Sequence, residues 1–213
     1  MTRSAILWDM DGTLVDSEPL HQAALVTALE AQGLAAPEGF HDIVVGSDAR
    51  SVHRWCQTHL GLTLGLQDWL RLKYRTYFAS LDGLAHRAGA IELFRELAGT
   101  GITQAIVSNS DRMVVSANLD AAGLTEPGLV TVSRNDVRQG KPAAEPYLRA
   151  AWLIGKAPGT CIVVEDSVTG AQAGVAAGMR TLFWPQTDQA PPPGAERITD
   201  AGQLGAILRG AKP

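Results

Sequence analysis

Cysteine, basic charge and long apolar runs are all scarce in this sequence. Its 213 residues include only two cysteines, Cys56 and Cys161. Two cysteines cannot build a disulfide framework, so we expect a reducing, cytoplasmic setting. Lys and Arg number 18 against 22 for Asp and Glu, a formal net charge of −4 without the basic footprint that nucleic-acid binding needs. No apolar run approaches the roughly 18 residues of a membrane span, and Asp9 interrupts the first apolar run too early for a signal peptide.

The P-loop motif for nucleotide binding is also missing, and the overall composition is that of an ordinary globular protein. The pattern Gly-x-x-x-x-Gly-Lys-Ser/Thr does not occur, which disfavours a P-loop enzyme. Hydrophobic residues make up 46% and charged residues 19%, which excludes a wholly disordered chain. We expect a small-molecule partner, with no nucleic acid and no membrane, and a monomer or weak homo-oligomer.

Short apolar runs alternate with helical patterns along most of the chain. The runs that read as buried strands are 4–8, 102–107, 161–164 and 181–184, with a weaker candidate at 129–132. Helical patterns lie between and after them, at 89–99, 111–122, 143–154, 169–177 and 201–209. Strands alternating with helices predict an α/β fold with a doubly wound parallel sheet covered on both faces.

One long segment breaks this alternation. Residues 17–82 carry apolar side chains at helical spacing and no strand pattern. We therefore predict two domains: a core formed by 1–16 and 83–213, and an all-helical domain, 17–82, inserted after the first strand.

Two acidic residues end the first predicted strand. Asp9 and Asp11 belong to the run Asp9-Met10-Asp11-Gly12-Thr13, and alternate residues of a strand point to the same face. In open α/β sheets, ligands bind at the carboxyl ends of the strands. Adjacent carboxylates repel, so a proton or a hard cation such as Mg²⁺ must offset their charge. One could then act as a nucleophile and the other as a proton carrier, whereas the plain alternative is an ordinary Asp-Gly turn.

Polar residues follow three further predicted elements. Ser108 precedes a helix, where hydroxyl and amide groups bind phosphate oxygens. Lys141 stands in Gly-Lys-Pro before another helix, and Glu165 and Asp166 end a buried strand, where two charges need partners such as a metal. Taken singly, Ser108 could be a helix cap and Lys141 a solvated surface lysine.

In order along the chain, these motifs resemble the haloacid dehalogenase-like (HAD) hydrolase superfamily, which consists largely of phosphatases and phosphomutases. The resemblance covers nearly the whole sequence and implies a Rossmann-like core. The helical insertion looks like the small cap of the subgroup that contains β-phosphoglucomutase, phosphoglycolate phosphatase and sugar-phosphate phosphatases. The run 14–21, Leu-Val-Asp-Ser-Glu-Pro-Leu-His, is similar to that subgroup's hinge into the cap.

The resemblance also implies a role for each motif residue. Asp9 would be the nucleophile that forms an aspartyl-phosphate, and Asp11 the general acid and then the general base. Ser108 and Asn109 would hold the phosphoryl group while Lys141 neutralises charge. Mg²⁺ would be bound by Asp9, by the backbone carbonyl of Asp11 and by Asp166, with Glu165 as a direct or outer ligand.

The resemblance also implies that residues of the cap recognise the part of the substrate beyond its phosphoryl group. His21 occupies the position of a histidine in the β-phosphoglucomutase cap, and Lys73 resembles a cap lysine that faces the substrate. Arg50 ends the run Gly46-Ser47-Asp48-Ala49-Arg50, one position away from the mutase pattern Gly-x-x-Arg. A polar helix residue near the hinge is the alternative for His21, and a solvated helix face is the alternative for Lys73.

Among the activities that the resemblance implies, we favour a Mg²⁺-dependent phosphatase acting on a small phosphorylated sugar or sugar acid. A phosphomutase of the β-phosphoglucomutase type uses the same two acids and stays open, and a catalytically silent binding module is the remaining alternative. The acid at position 11 disfavours the dehalogenase branch. The motif around Lys73 looks like phosphatases, which disfavours the branch that uses a Schiff-base lysine.

Overall fold

The computed structural model describes residues 5–44 and 49–210. The chain divides into two compact units. The larger unit contains the chain up to Asp16 and from Ala85 onward, and the smaller unit is Ser17–Leu84. Within the described ranges, no helix is both long and apolar enough to cross a membrane.

A parallel sheet organises the larger unit. The strands of the described chain are β1 (Ala5–Trp8), β2 (Val15–Asp16), β3 (Ala85–His86), β4 (Thr103–Val107), β5 (Val130–Val132), β6 (Cys161–Glu165), β7 (Arg180–Phe183) and β8 (Ala195–Arg197). Six of them form one sheet in the order β5-β4-β1-β6-β7-β8, and every neighbouring pair is parallel. The two short strands β2 and β3 pair antiparallel as a separate ribbon.

Helices cover both faces of this sheet. The helices of the larger unit are α5 (Ala90–Gly99), α6 (Arg112–Ala121), α7 (Glu145–Leu153), α8 (Val168–Ala176) and α9 (Ala201–Arg209). Leu7 of β1 belongs to a buried cluster with Tyr147 of α7 and Ala173 of α8. Trp8, which points to the opposite face, packs its ring 6.0 Å from that of Phe94 in α5. The predicted doubly wound α/β fold is confirmed.

The position of β1 explains why its sequence is apolar throughout. It lies between β4 and β6, with Ala5 opposite Thr103 and Cys161, and all four of its residues are buried. A strand flanked on both edges and covered on both faces has no polar side to present. The carboxyl ends of these three strands therefore meet at one edge of the sheet, which places the residues that follow them side by side.

The smaller unit is helical. Its helices are α1 (Glu18–Glu30), α2 (Phe40–Val44), α3 (Ala49–Leu60) and α4 (Leu66–Ala79). Helix α4 packs against both α1 and α3. The core of the smaller unit is a cluster of buried residues that includes Leu29, Phe40, Cys56 and Trp69.

Several short elements escaped the sequence analysis. Single 3₁₀ turns occur at Leu81–Gly83, Arg134–Asp136 and Pro158–Thr160. The β2–β3 ribbon and β8 contain two or three residues per strand, too few for an alternation pattern to appear. Element ends also differ by one or two residues: the helix predicted from 143 begins at Glu145, and the strand predicted from 102 begins at Thr103.

Candidate active site

A buried lysine occupies the centre of the strand ends. The Nζ of Lys141 donates to Asp9 Oδ1 at 2.5 Å, to Glu165 Oε1 at 2.6 Å and to the backbone carbonyl of Val107 at 2.8 Å. Asp9 follows β1, Glu165 ends β6 and Val107 ends β4. Only 8% of Lys141 is exposed, so the surface alternative for this residue is wrong.

The Lys141 loop is held from the side by Asn109. The Asn109 amide accepts a hydrogen bond from the Lys141 backbone N–H at 2.9 Å and donates one to the Lys141 carbonyl at 3.1 Å. A Cβ at Gly140 would lie 2.7 Å from Asn109 Oδ1, so this close approach requires glycine. The side chain of Asn109 therefore contacts the backbone of Lys141.

Glu165 is hydrogen-bonded through both of its oxygens. Oε1 accepts from Lys141 and from the Tyr147 hydroxyl, the latter at 2.8 Å. Oε2 accepts from the backbone N–H and the hydroxyl of Ser167, at 3.2 and 3.0 Å. A Cβ at Gly170 would lie 1.7 Å from Oε1, so the first turn of α8 fits against this carboxylate only without a side chain.

Asp11 lies among hydroxyl and amide donors. Ser108 Oγ and Ser110 Oγ donate to its Oδ2 at 2.9 and 2.8 Å, and Asn118 Nδ2 donates to its Oδ1 at 3.3 Å. Ser108 and Ser110 follow β4, and Asn118 is fully buried on α6. These hydrogen bonds fix the orientation of the Asp11 carboxyl group.

The carboxylates near Lys141 could hold a cation. Asp9, Glu165 and Asp166 each offer an oxygen, and these oxygens lie within 4.8 Å of one another. The Oδ2 of Asp9 is buried and accepts no hydrogen bond from any described residue. Asp166 Oδ1 accepts from the Thr13 hydroxyl at 3.1 Å, and its other oxygen lies against Gly12. An all-oxygen, anionic donor set of this type suits a hard divalent cation such as Mg²⁺.

The charges at this edge do not balance within the cluster. Burial raises the pKa of Asp9 well above its usual range, and the nearby Glu165 raises it further, while Lys141 opposes both. Burial, followed by Glu165, also raises the pKa of Asp166 to about 7. Burial disfavours the charged form of Lys141, but Asp9 and Glu165 outweigh it and raise the pKa of this ammonium. Three carboxylates around one ammonium leave an excess of negative charge that a divalent cation would offset.

The remaining predicted residues lie in the smaller unit. His21 on α1 stacks on Tyr77 of α4, with ring centroids 4.2 Å apart and an interplanar angle of 15°. Lys73 lies one helical turn before Tyr77, on the same face of α4. Arg50 is exposed at the second position of α3, and residues 46–48 of its run lie outside the described ranges.

Sequence reasoning assigned no role to several residues that shape the site: Thr13, Ser110, Asn118, Tyr147 and Ser167. The sequence did contain an indication of Asn118, because it is a polar residue on the helix face that carries Val114, Val115 and Leu119. A polar side chain on a buried helix face needs a partner, and Asp11 provides one. Tyr147 left a similar signal, as a hydroxyl on a face that buries Ala150 and Ala151.

Buried charge gathered at the carboxyl edge of a parallel sheet is typical of the active site of an α/β enzyme. A family profile for haloacid dehalogenase-like hydrolases matches residues 4–178, and the chain belongs to that family. It is 34% identical to hexitol phosphatase A of Escherichia coli (strain K12) over 182 residues, which cover 85% of this chain and 83% of that protein.

Solved structures agree with this assignment. CbbY from Rhodobacter sphaeroides, in complex with phosphate, superposes with a TM-score of 0.83 at 25% identity and covers 93% of this chain and 94% of CbbY. A HAD family hydrolase from Deinococcus radiodurans R1, with bound phosphate and sodium, superposes with a TM-score of 0.74 at 29% identity, covering 98% of this chain and 96% of that one. The prediction of a phosphoric monoester hydrolase from this family is confirmed.

Proposed function

We propose that this enzyme is a Mg²⁺-dependent phosphatase that hydrolyses a small phosphorylated sugar or sugar acid through an aspartyl-phosphate. The observation that carries the proposal is the state of Asp9: it is 6% exposed, paired with Lys141 through Oδ1, and without a partner among the described residues at Oδ2. A carboxylate oriented by a buried lysine, with one oxygen uncommitted, is suited to nucleophilic attack. The hexitol phosphatase relationship supports a sugar-type substrate.

Asp9 begins the reaction in this proposal. One of its carboxylate oxygens attacks phosphorus, the bond from phosphorus to the substrate oxygen breaks, and the leaving oxygen takes a proton from Asp11. Asp11 then removes a proton from water, whose oxygen attacks the phosphorus of the aspartyl-phosphate. Phosphate leaves, and both carboxyl groups return to their starting states.

In this proposal, residues that surround Asp9 and Asp11 stabilise the negative charge on the phosphoryl group. The Lys141 ammonium sits on Asp9 and stabilises negative charge as it moves onto the phosphoryl oxygens. We assign the hydroxyl of Ser108, directly after β4, as a hydrogen-bond donor to the phosphoryl group. Asn109 contributes to phosphoryl binding by fixing the loop that carries Lys141.

Asp9, the Asp11 carbonyl and Asp166 would hold the metal ion, which when bound supplies positive charge for the phosphoryl oxygens. Glu165 is the weaker candidate for a direct ligand, because Lys141, Tyr147 and Ser167 already occupy its two oxygens. We assign it as an outer residue that holds Lys141 in place.

We further propose that the smaller unit acts as the cap domain and reads the rest of the substrate. His21, Lys73 and Arg50 are the residues we assign to this role. The strand-end residues of the larger unit account for the phosphoryl group and its cation, so selection among substrates needs additional groups.

A panel of phosphorylated metabolites tests the proposal. Purified enzyme is incubated with sugar, sugar-alcohol and sugar-acid phosphates, with and without Mg²⁺, and both free phosphate and the organic product are measured. Asp9→Asn controls for contaminating phosphatases. Metal-dependent phosphate release that is lost in this variant supports the proposal. An isomerised sugar phosphate without net phosphate release would identify a phosphomutase, and no turnover of any substrate would favour a silent binding module.

A further inference from the structure

Gly12 lies in the turn that follows Asp9 and Asp11, and its position in that turn requires a residue without a side chain. Gly12 has φ +86°, and a Cβ at this position would lie 2.1 Å from Asp166 Oδ2. The turn itself is short, since the Met10 carbonyl accepts from the N–H groups of both Leu14 and Val15. Gly12 therefore lies between Asp11, which precedes it in the chain, and the Asp166 carboxylate, which also accepts a hydrogen bond from the hydroxyl of the next residue, Thr13.

Arg87 holds this peptide from outside the cluster. Its Nη1 donates to the Gly12 carbonyl at 2.8 Å and to the Trp184 carbonyl at 2.6 Å, and its Nη2 donates to the Pro185 carbonyl at 3.1 Å. The guanidinium also lies on the Trp184 ring, 3.6 Å from the centroid. Gln186 adds a second donor to the Gly12 carbonyl at 3.2 Å.

These contacts depend on the shape of the arginine side chain. A guanidinium is planar and presents several N–H groups in a fixed fork, so it can stack on an indole and bind carbonyls of two loops together. A lysine ammonium would keep the charge but could not reproduce that arrangement. Burial lowers the pKa of Arg87 to about 10, against the opposing effects of Asp166, Asp16 and Asp9, so the group stays charged at neutral pH.

The neighbourhood of Arg87 remains open to small solutes. Arg87 follows β3 directly and lines a cleft of about 420 Å³ whose wall includes Asp16, His86 and Thr199. A cleft of this size admits a free guanidinium ion if the arginine side chain is shortened.

We propose that Arg87 is a positioning residue for phosphoryl transfer, which fixes the Gly12 carbonyl and thereby sets the placement of Asp11 and Asp166. It does not touch the reacting atoms. The consequence for turnover rests on the proposed phosphatase function, whereas the effect on the turn does not.

Kinetics of two variants test the consequence for turnover. Arg87→Ala and Arg87→Lys are compared with wild type and with Arg209→Ala, a control that removes an exposed ion pair to Glu96 between α9 and α5. We expect kcat for an aryl phosphate to fall roughly tenfold or more in both Arg87 variants, with KM within about threefold, because misplacement of catalytic groups acts on the chemical step. Free guanidinium, far below denaturing concentration, should restore activity to Arg87→Ala and leave Arg87→Lys and the control unchanged.

Hydrogen–deuterium exchange tests the turn without any reference to activity. In Arg87→Ala, the amides of residues 10–15 should exchange faster than in wild type, while those of α9 stay unchanged. An inactive wild type with faster exchange in the variant would refute the phosphatase function and leave the positioning of the turn supported. Wild-type kcat in Arg87→Lys, or unchanged exchange at 10–15 in Arg87→Ala, would overturn the proposal. If Arg87→Ala does not fold, the kcat of Arg87→Lys decides alone.

Discussion

At the scale of single residues, the site is governed by one buried ammonium among acids. Lys141 contacts Asp9 and Glu165 and is almost fully buried, as are both carboxylates. Removing the ammonium would leave two buried carboxylates uncompensated in a low-dielectric environment, and breaking a buried ion pair typically costs about 3–5 kcal/mol. Substitutions of Lys141 should therefore change folding as well as turnover, whereas Asp9→Asn keeps Lys141 paired with Glu165 and offers a cleaner test.

Asp9→Asn should abolish turnover and leave the fold intact. The amide is nearly the same size as the carboxylate but cannot attack phosphorus as an anionic nucleophile. The measurement is phosphate release from an aryl phosphate, with circular dichroism to confirm folding. Retention of about a tenth or more of wild-type kcat, a barrier increase of only about 1.4 kcal/mol or less, would contradict the nucleophilic role.

Sequence reasoning found the residues of this site that directly follow strands, because parallel strands bring their carboxyl ends to one edge. It missed those that approach from elsewhere in the chain. Asn118 on α6 reaches Asp11 across 107 positions of sequence, and Tyr147 on α7 reaches Glu165. Such contacts depend on how α6 and α7 pack against the sheet, which no local pattern specifies.

At the scale of elements, the fit of α8 against β6 depends on a missing side chain. Gly170 lies in the first turn of α8, where its N–H donates to the Ser167 hydroxyl that caps the helix. The absent Cβ makes room for the Glu165 carboxylate. The position of the helix and the anchoring of Lys141 are thus linked through one glycine.

Gly170→Ala should lower kcat by roughly tenfold or more, because the added methyl must displace Glu165 and with it Lys141. Gly99→Ala is the matched control: this glycine ends α5 and would meet nothing within 4 Å. Alanine there should leave kcat unchanged and stabilise the protein by up to about 1 kcal/mol, since glycine costs conformational entropy in a helix. Equal kcat in the two variants would show that Glu165 does not need this space.

Strands and helices with long apolar patterns could be predicted from sequence. Short strands that form only because they pair with a neighbouring strand could not. The run at β1 is buried over its whole length, as its apolar composition predicted, whereas its place between β4 and β6 was not predicted. Strand β8 contains Ala195, Glu196 and Arg197, of which the latter two are exposed, and it exists because β7 offers a free edge for pairing. Pairing of this kind is a tertiary effect and leaves no periodicity in the sequence.

At the scale of the whole molecule, the acidic cluster links stability to pH and, in our proposal, to cation binding. The pKa of Asp166 in the folded protein, about 7, exceeds the usual value near 3.9, so the folded state binds a proton that the unfolded state releases. The stability from this proton is present at acidic pH and is lost as pH rises through about 7.

Metal-free protein should therefore have a Tm that falls between about pH 5 and pH 8, and Mg²⁺ should raise the Tm more at pH 8 than at pH 5, because protons compete for the same carboxylates. Differential scanning fluorimetry with and without chelator measures both effects. Asp166→Asn serves as the comparison and should show a smaller response to Mg²⁺. An equal Mg²⁺ effect at both pH values would contradict the assignment of these acids as ligands.

Substrate selection involves both units of the molecule in our proposal. The larger unit binds the phosphoryl group and the smaller unit recognises the rest of the substrate. Lys73→Ala should lower kcat/KM for the native substrate by roughly tenfold or more, a loss of about 1.4 kcal/mol, and should affect a small aryl phosphate much less. Arg75→Ala is the control, since Arg75 is an exposed residue on the same helix. Equal losses on both substrates would assign Lys73 to folding rather than to recognition.

We propose that Asp9 becomes phosphorylated during turnover. Rapid acid quench of enzyme mixed with substrate, followed by peptide mass spectrometry, tests it most directly. We predict the mass of one phosphoryl group on the peptide that contains Asp9, formed and lost at rates consistent with kcat and absent in Asp9→Asn. Turnover with no phosphoryl group on the chain, or with the group on another residue, would contradict this account.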